Sequence, residues 1–467
     1  MRDLGPGRAT LHRCGGRGAN RLVCRLRNRI GMDLDPRTNP GYLKLDLYCK
    51  GIRLDPSCFV ETAGGRKIIR TRAGLGSGLE AILPGNLWTN IPVAESFAAR
   101  SPYSLHQIGG RFEIRKGDEV IAPIRLAPSP GWYTRRTSSG KLMTQVGTLQ
   151  GTYLGIYPSK VCDYWLERPE KSNCHFCSVG LNLGHDDADE KSVSEVMEVV
   201  HAAREESDIT YVDFNTGHYK GDTYLDILEP YIRRVKEETG LLVGVQAPPH
   251  HDLSRYDRLK ALGVNRVSFC FEIFDKKQFV EVCPGKHREY GLRRYLDAVE
   301  YCAALSSGTN LLASPWVTNG EIIAGLEPPE STIRAIDWIT SVGAIPTVCV
   351  FRPLRGTDYA RLDPPETDAM VPVFRRLYDA CMERRLPIGL APNVHVSLVL
   401  LPEECRWFSE NPSRYFVTES VNRAKAWVFA RTLRQRIREK AAIGTGPREA
   451  LTAASAAPAS TAPRRTG

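Results

Sequence analysis

The sequence predicts an α/β protein whose central part is a parallel sheet of six strands with helices between them. Two observations support this fold class. From residue 151 to about residue 360, short apolar runs alternate with segments of helical periodicity. Consecutive strands joined by helices form a parallel sheet with right-handed crossovers, which can close into a full or partial barrel. We therefore expect a partial (βα)6 barrel over residues 151–360.

The predicted elements follow one another in a regular order. Strands are expected at 152–157, 210–215, 241–246, 264–271, 309–317 and 347–351. Helices are expected at 192–206, 224–239, 254–262, 292–305 and 331–342. Ser192 or Ser194 is a candidate N-cap for the first helix, and Gly240 is placed to end the second.

Four further segments flank this central part. Residues 32–150 are predicted to be a mixed, mostly β accessory region, and residues 361–440 a C-terminal helical extension. Residues 1–31 are expected to be a disordered basic tail or a mis-assigned start, with Met32 as the true first residue. Residues 441–467 are rich in Ala, Pro, Thr and Ser and predict a second disordered tail.

The charge distribution argues against a nucleic-acid partner. The net charge of +10 lies at the two ends, because residues 1–31 carry eight arginines and one acid, and residues 440–467 carry four basic residues and one acid. Residues 32–439 are therefore balanced, whereas a nucleic-acid binder usually concentrates basic charge on a folded face. No apolar run approaches the roughly 20 residues that span a bilayer, so we also expect no membrane partner.

The cysteines favour a reducing compartment. The chain has 13 of them, an odd number, and most stand singly in apolar segments. Such spacing in a chain of this length does not suggest a secreted disulfide framework. No apolar stretch of the kind found in secretory signals follows the basic N-terminus. We therefore expect a cytoplasmic protein.

Three cysteines follow the first predicted strand of the barrel. The segment VCDYWLERPEKSNCHFCSVG contains Cys162, Cys174 and Cys177. In βα barrels the active site lies at the C-terminal ends of the strands. Three thiolates can bind three irons of a [4Fe–4S] cluster and leave the fourth iron open to another ligand, whereas ferredoxin-type clusters use four cysteines. The loop is therefore a candidate catalytic iron–sulfur site.

A structural zinc site in a non-catalytic module is the alternative interpretation. The three cysteines and either His175 or His185 could supply four ligands. An isolated Cys-x-x-Cys favours zinc or redox chemistry. Zinc alone, however, does not account for the run of βα units around the loop.

The segment Cys174-His-Phe-Cys177 resembles the second half of the radical S-adenosylmethionine (SAM) signature, in which an aromatic residue, here Phe176, precedes the last cysteine. The usual spacing in that family is Cys-x3-Cys-x2-Cys. In this chain it is Cys-x11-Cys-x2-Cys, with the expansion lying between Cys162 and Cys174.

Further motifs extend the resemblance over roughly residues 150–360. The turn of Asn215, Thr216 and Gly217 after the second strand resembles the turn that binds the SAM amino group. Glu272 ends the fourth strand, where enzymes of the biotin synthase and HydE-like groups place a glutamate near the SAM methionine or ribose. Three more segments match in order, namely Pro284-Gly-Lys286, Gly325-Leu-Glu327 and Phe351-Arg-Pro-Leu-Arg-Gly-Thr357.

The resemblance implies a radical SAM enzyme with a partial barrel of that type. Its cofactors would be a [4Fe–4S] cluster and SAM, with an external one-electron donor such as ferredoxin or flavodoxin. In this family, reductive cleavage of SAM gives a 5′-deoxyadenosyl radical that abstracts hydrogen from the substrate, here expected to be a small molecule. An RNA-modifying member of the superfamily is an alternative, which the balanced charge of residues 32–439 disfavours.

Polar residues at or just beyond the predicted strand ends are candidates for substrate contact, because barrel strand ends are enriched in functional residues. The alternative role for each of them is capping or solvation of the surface. The candidates are His218, Tyr219, His250, His251, Arg352 and Arg355.

Overall fold

A computed structural model of the protein describes residues 33–59, 69–70, 77–167 and 169–444. Its strands, numbered β1 to β14 in chain order, are Arg53–Leu54, Ile69–Arg70, Ser77–Leu83, Leu87–Ile91, Tyr103–Ile108, Arg111–Lys116, Glu119–Leu126, Thr148–Leu149, Leu154–Ile156, Tyr211–Asn215, Leu242–Gln246, Arg266–Glu272, Val317–Ala324 and Ile345–Val350. Its α-helices, numbered α1 to α13, are Pro40–Lys50, Met143–Val146, Asp163–Leu166, Val179–Asn182, Val193–Ser207, Tyr224–Thr239, Arg255–Ala261, Lys276–Val282, Pro284–Glu289, Gly291–Ala304, Pro329–Ser341, Thr367–Glu383 and Phe416–Gly444.

The larger part of the fold is a sheet with the strand order β14-β13-β12-β11-β10-β9-β8. Strands β9 to β14 are parallel and neighbour one another in sequence order, and β8 pairs antiparallel with β9. Helices α5, α6, α7, α10 and α11 connect successive parallel strands. The predicted α/β class, with alternating strands and helices, is confirmed. All the loops that follow these strands leave the same edge of the sheet.

Local capping signals set the ends of two of these helices as predicted. Helix α5 begins after Ser192, whose hydroxyl accepts from the Glu195 N–H while the Glu195 carboxylate accepts from the Ser192 N–H. This capping box satisfies two N–H groups that the helix itself leaves free. Helix α6 coincides with the predicted span, and Gly240 follows it with a left-handed φ of 69°.

The predicted fifth strand at 309–317 is wrong. Strand β13 spans Val317–Ala324 instead, and residues 311–313 form a turn. The Asn310 side chain accepts from the Leu312 N–H at 3.0 Å, and Pro315 has no N–H for a sheet ladder. Strand β13 is less apolar than the predicted segment. Its polar residues Asn319 and Glu321 are buried, and both have polar partners.

A second sheet precedes the parallel one in the chain. Its strand order is β1-β5-β6-β7-β3-β2, with β4 paired to β3, and most of its pairs are antiparallel. Helix α1 contributes Leu43 and Leu47 to the apolar core of this sheet. The domain boundaries predicted from the sequence stay predictions.

The C-terminal part covers the parallel sheet. The apolar segment at 394–401 crosses close to β8 and β9, where Val396 forms a bridge with Gly151. On α13, Phe429 and Leu433 pack against Tyr211 and other residues near the N-terminal ends of the strands.

The predicted terminal tails fall almost wholly outside the described residues. Helix α13 ends at Gly444, so it includes 441–444 of the second tail. The first tail, Met32 and residues 445–467 lie outside. Among the described helices, none combines the length and the apolar composition needed to cross a bilayer.

Candidate functional site

The three predicted cluster cysteines line one cavity. Cys162, Cys174 and Cys177 follow β9 and surround a space of about 120 Å³, which we call the cysteine cavity. Residues at the C-terminal ends of β10, β11 and β12 line the same cavity, among them Asn215 and Glu272. The parallel sheet therefore brings Cys162 and Glu272, which are 110 positions apart in the chain, to the wall of one cavity.

The turn after β10 is held against the first cysteine. The His218 backbone N–H donates to Cys162 Sγ at 3.3 Å. A Cβ atom added to Gly217 would lie 2.5 Å from Cys162 Cβ and 2.7 Å from Cys162 Cα. Glycine is required here because another side chain would collide with the backbone of the cysteine loop.

This close approach predicts a cost for Gly217→Ala. We expect the substitution to lower the free energy of unfolding by about 1–3 kcal/mol, the usual penalty for overpacking. Gly131→Ala is the matched control, since its added Cβ would meet only the end of the Glu206 side chain, at 3.2 Å. Chemical denaturation of both variants measures the difference, and equal stability of Gly217→Ala and the parent chain would contradict the tight packing.

Two buried polar atoms in this turn are available to a ligand. Asn215 Oδ1 and Thr216 Oγ1 are buried and have no hydrogen-bond partner within the described ranges. Buried polar groups are nearly always paired, because leaving one unpaired costs about 1–3 kcal/mol. Both atoms can accept hydrogen bonds, and both residues line the cysteine cavity. They fit a ligand that brings an N–H donor, such as an ammonium group.

Glu272 is aimed into the site by an irregular strand end. The β12–β13 register shifts between Cys270 and Glu272, and Glu272 has a φ of 67°, a conformation that residues other than glycine adopt rarely. Lys286 Nζ lies 2.9 Å from Glu272 Oε1 and also donates to the Cys270 carbonyl at 2.5 Å. Burial raises the pKa of Glu272, while the charge of Lys286 opposes the rise. Glu272 is therefore a paired carboxylate that faces the cysteine cavity, with only 12% of its side chain exposed.

The role of Lys286 was missed at the sequence level, where it was only part of a Pro-Gly-Lys motif. Its side chain is 14% exposed and lines the cysteine cavity. The spacing of 14 residues between Glu272 and Lys286 crosses a strand end and two short helices, so the pairing had no local periodicity to reveal it.

The three thiols differ in acidity. Burial raises the pKa of Cys162 and of Cys177 to about 12. The hydrogen bond from Cys283 lowers the pKa of Cys174, and the nearby Lys286 charge acts in the same direction. A bound metal cation favours the thiolate form of its ligands, so metal binding at this site would release protons.

The arrangement does not favour the structural zinc alternative. A tetrahedral zinc site needs four ligands within about 2.3 Å of one ion. Among the described residues, no three His, Cys, Asp or Glu side chains are grouped so that they could hold a single metal ion. Neither His175 nor His185 lines the cysteine cavity. Each cysteine of a [4Fe–4S] cluster binds a different iron, so ligands around a wider space are what such a cluster requires.

A larger cavity of about 270 Å³ lies beside the cysteine cavity, against the inner face of the parallel sheet, and we call it the sheet cavity. The two cavities share five lining residues, namely Phe176, Asn215, Gln246, Cys270 and Glu272. The segment at 387–403 and Phe429 line its other sides. A molecule in the sheet cavity would therefore lie next to the predicted cofactor site.

An ionic network of Arg266, whose side chain is 22% exposed, and two buried carboxylates lines the sheet cavity. The Arg266 guanidinium lies 3.2 Å from Asp213 Oδ1 and 2.6 Å from Glu321 Oε1. Gln246 Nε2 donates to Glu321 Oε2 at 2.9 Å. This network was not predicted, although the sequence carries a signal for it. In β12, polar residues alternate with the buried apolar residues Val267, Phe269 and Phe271. Of the alternate set, Arg266, Cys270 and Glu272 line the cavity.

His218 lies at the cysteine cavity. Its imidazole stacks on Tyr164 with a centroid distance of 4.5 Å, and its Nδ1 lies 2.7 Å from the Tyr290 hydroxyl. Burial lowers the pKa of His218. Of the residues predicted to contact substrate, this one is brought into the site.

The other substrate candidates line neither cavity and have other partners. Arg352 is buried and donates to the side-chain and backbone oxygens of Asn90, at 3.2 and 2.9 Å. The remaining four also have partners within the protein. Tyr219 donates to the Lys160 carbonyl, His250 Nδ1 accepts from the Asp252 N–H, His251 pairs with Asp222, and Arg355 donates to the Ala94 carbonyl.

Part of the chain is similar to a curated protein. No protein-family model matches the chain. The bacteriochlorophyllide c C-7(1)-hydroxylase of Chlorobaculum limnaeum is 28% identical over 131 residues, which are 28% of this chain and 31% of the hydroxylase. The match thus spans about a third of that relative's length.

Solved structures give partial overlaps. Methylornithine synthase (PylB) has 17% identity and a TM-score of 0.37, covering 49% of this chain and 62% of its own. The FeFe-hydrogenase maturase HydG from Carboxydothermus hydrogenoformans has 18% identity and a TM-score of 0.38, covering 49% and 52%. Coproporphyrinogen III oxidase (HemN) from Escherichia coli, a radical SAM enzyme, has 16% identity and a TM-score of 0.29, covering 38% and 41%. Over part of its length the chain is therefore similar to a curated hydroxylase and to solved structures that include one radical SAM enzyme.

Proposed function

We propose that this protein is a radical SAM enzyme that binds a [4Fe–4S] cluster through Cys162, Cys174 and Cys177 and acts on a small-molecule substrate. The observation that carries the proposal is the common cavity of the three cysteines, the turn after β10 and the end of β12. These residues come from separate βα units, and they meet at the edge of the sheet where active sites of such folds lie.

The residues of the cysteine cavity suit two parts of SAM, its amino group and its ribose. The free acceptors Asn215 Oδ1 and Thr216 Oγ1 would receive hydrogen bonds from its amino group. Glu272 would accept from a ribose hydroxyl or from the ammonium group, while Lys286 holds the carboxylate in place. Phe176, which lines both cavities, would screen the cofactor from water. When bound, the cluster and SAM supply one-electron cleavage of SAM and a 5′-deoxyadenosyl radical.

The sheet cavity is the proposed place of the substrate. The residues that line both cavities separate it from the cysteine cavity. Its volume of about 270 Å³ is near the lower end of the range for small-molecule sites. Gln246 and Cys270 on the shared wall offer polar contacts near the position of the cofactor. We further propose that the parallel sheet is a partial (βα)6 barrel. An external one-electron donor, such as ferredoxin or flavodoxin, and a cytoplasmic location stay predictions.

Anaerobic reconstitution tests the proposal. The full chain, supplied with iron and sulfide, should contain about four irons per chain. With dithionite and SAM it should form 5′-deoxyadenosine. Mass spectrometry after incubation with a metabolite extract would then identify the substrate. A protein that binds zinc with high affinity and forms no iron–sulfur chromophore would contradict the proposal.

Glu272→Gln separates SAM binding from cluster binding. The amide can still accept from Lys286 but has lost its charge, so we expect SAM affinity to fall about 10- to 100-fold, the value of one charge-assisted hydrogen bond. Iron content should stay normal. Glu281→Gln, on the exposed side of α8, is the matched control and should leave both values unchanged. Unaltered SAM affinity and 5′-deoxyadenosine yield in Glu272→Gln would remove Glu272 from the site.

A further inference from the structure

The exposed apolar side chains of the described residues are concentrated on one helix. Five of the eleven large exposed ones lie on α13, and they include the three with the greatest exposure, Val417 at 73%, Trp427 at 66% and Phe416 at 63%. Val421 and Val428 complete the set. Single exposed apolar residues are ordinary, but a contiguous group usually marks an interaction surface.

Helical geometry places these five residues on one side of α13. Eleven residues make about three turns, so Phe416 lies above Trp427 and Val417 above Val428, with Val421 between them. The group extends along the helix for about 18 Å. We call these five residues the apolar stripe.

The opposite side of α13 is firmly attached to the protein. Phe429 and Leu433 are buried against Tyr211 and Leu242. The Asn422 side chain donates to the Leu386 carbonyl at 3.1 Å in a buried position. The apolar stripe therefore faces outward from a helix whose orientation is fixed.

Basic residues flank the stripe on the solvent side. Of the charged side chains described as exposed on α13, five are cationic and one, Glu439, is acidic. The cationic residues are Arg423, Lys425, Arg431, Arg434 and Arg438. A helix with Trp, Phe and aliphatic residues on one surface and flanking arginines has the composition of helices that lie in the interface of a bilayer.

We propose that α13 docks the protein on the surface of an anionic lipid membrane. The apolar stripe would enter the boundary between headgroups and acyl chains, and the arginines would contact anionic headgroups. The helix lies on the bilayer and does not cross it. This revises the sequence expectation of no membrane partner, which rested on the lack of an apolar run long enough to span.

The composition of the stripe favours lipid over other occupants. Three of its five members are valines, which give no stacking surface to a nucleic acid base. The excess of five exposed cations over one exposed acid on α13 would repel a second copy of the same surface and attract an anionic one.

Vesicle co-sedimentation of the full chain tests the proposal. We expect binding to vesicles of phosphatidylcholine with phosphatidylglycerol, weaker binding at high salt, and little binding to phosphatidylcholine alone. The triple variant Val417→Ser, Val421→Ser, Trp427→Ser should bind at least about tenfold more weakly. The matched control is Val120→Ser with Leu362→Ser, two exposed aliphatic residues away from α13, which should bind as the parent chain does.

Other outcomes identify other occupants and overturn the proposal. A concentration-dependent dimer that the triple variant loses, without vesicle binding, would make the stripe an interface between two copies of the chain. Salt-sensitive binding to single-stranded RNA without vesicle binding would make it a nucleic-acid surface. Equal vesicle binding by the parent chain and by a triple variant with a normal circular dichroism spectrum would exclude α13 as the docking element. Iron content and 5′-deoxyadenosine formation are independent of all these results.

Discussion

We expect each of the variants Cys162→Ala, Cys174→Ala and Cys177→Ala to lose the reducible iron–sulfur absorbance at about 400 nm. Each should also form no 5′-deoxyadenosine. Each cysteine would supply one of only three protein ligands, so loss of any one leaves a cluster with two. Iron and sulfide analysis after anaerobic reconstitution, together with absorbance before and after dithionite, measures the effect. We expect the same loss from all three variants, because all three thiols line the cysteine cavity.

Two other cysteines provide controls. Cys302→Ala changes a buried thiol on α10 that lines neither cavity and should leave the cluster intact. Cys283→Ala is more stringent, because the Cys283 thiol forms a hydrogen bond with that of Cys174 but does not line the cysteine cavity. If Cys162→Ala keeps a full cluster while Cys283→Ala loses it, the assignment of the first ligand across the long spacing is wrong.

Much of the fold was accessible to sequence analysis because its signals are local. The capping box of Ser192 and Glu195 and the left-handed Gly240 are short-range features, and the elements they delimit were predicted closely. The cysteine loop was also accessible, since its three cysteines are close in sequence and follow a recognisable strand. The site residues assigned from the resemblance stay predictions until the cluster is measured.

The errors and omissions arise where tertiary contacts outweigh local pattern. The apolar run 309–317 looked like a strand, but the turn at Asn310 and the ring of Pro315 prevent pairing there. Strand β13 carries two polar residues, Asn319 and Glu321, whose partner Arg266 lies on β12, more than 50 positions away. The pairing of Lys286 with Glu272 likewise depends on the tertiary fold and follows no local sequence pattern.

The ionic network in the sheet cavity predicts the largest effect on stability. In Arg266→Met, Asp213 and Glu321 would lose the cation between them while the volume of the side chain is nearly kept. Removing one partner of a buried ion pair costs about 3–5 kcal/mol, because an uncompensated charge remains. We therefore expect the free energy of unfolding to fall by about that amount. Arg258→Met is the control, since Arg258 is 61% exposed and surface pairs contribute about 0–1 kcal/mol.

The pH dependence of Arg266→Met distinguishes this cause from simple loss of packing. Burial already raises the pKa of Asp213, and the Arg266 charge opposes the rise, so the substitution should raise that pKa further. A carboxyl whose pKa is higher in the folded than in the unfolded chain binds more protons when folded. The amount by which it lowers the free energy of unfolding therefore shrinks as the pH falls toward the raised pKa. The stability deficit of Arg266→Met should therefore narrow at acidic pH, and Asp213→Asn added to it should restore part of the stability at neutral pH. A deficit that is constant with pH and unaffected by Asp213→Asn would mean that Arg266 stabilises the sheet by packing alone.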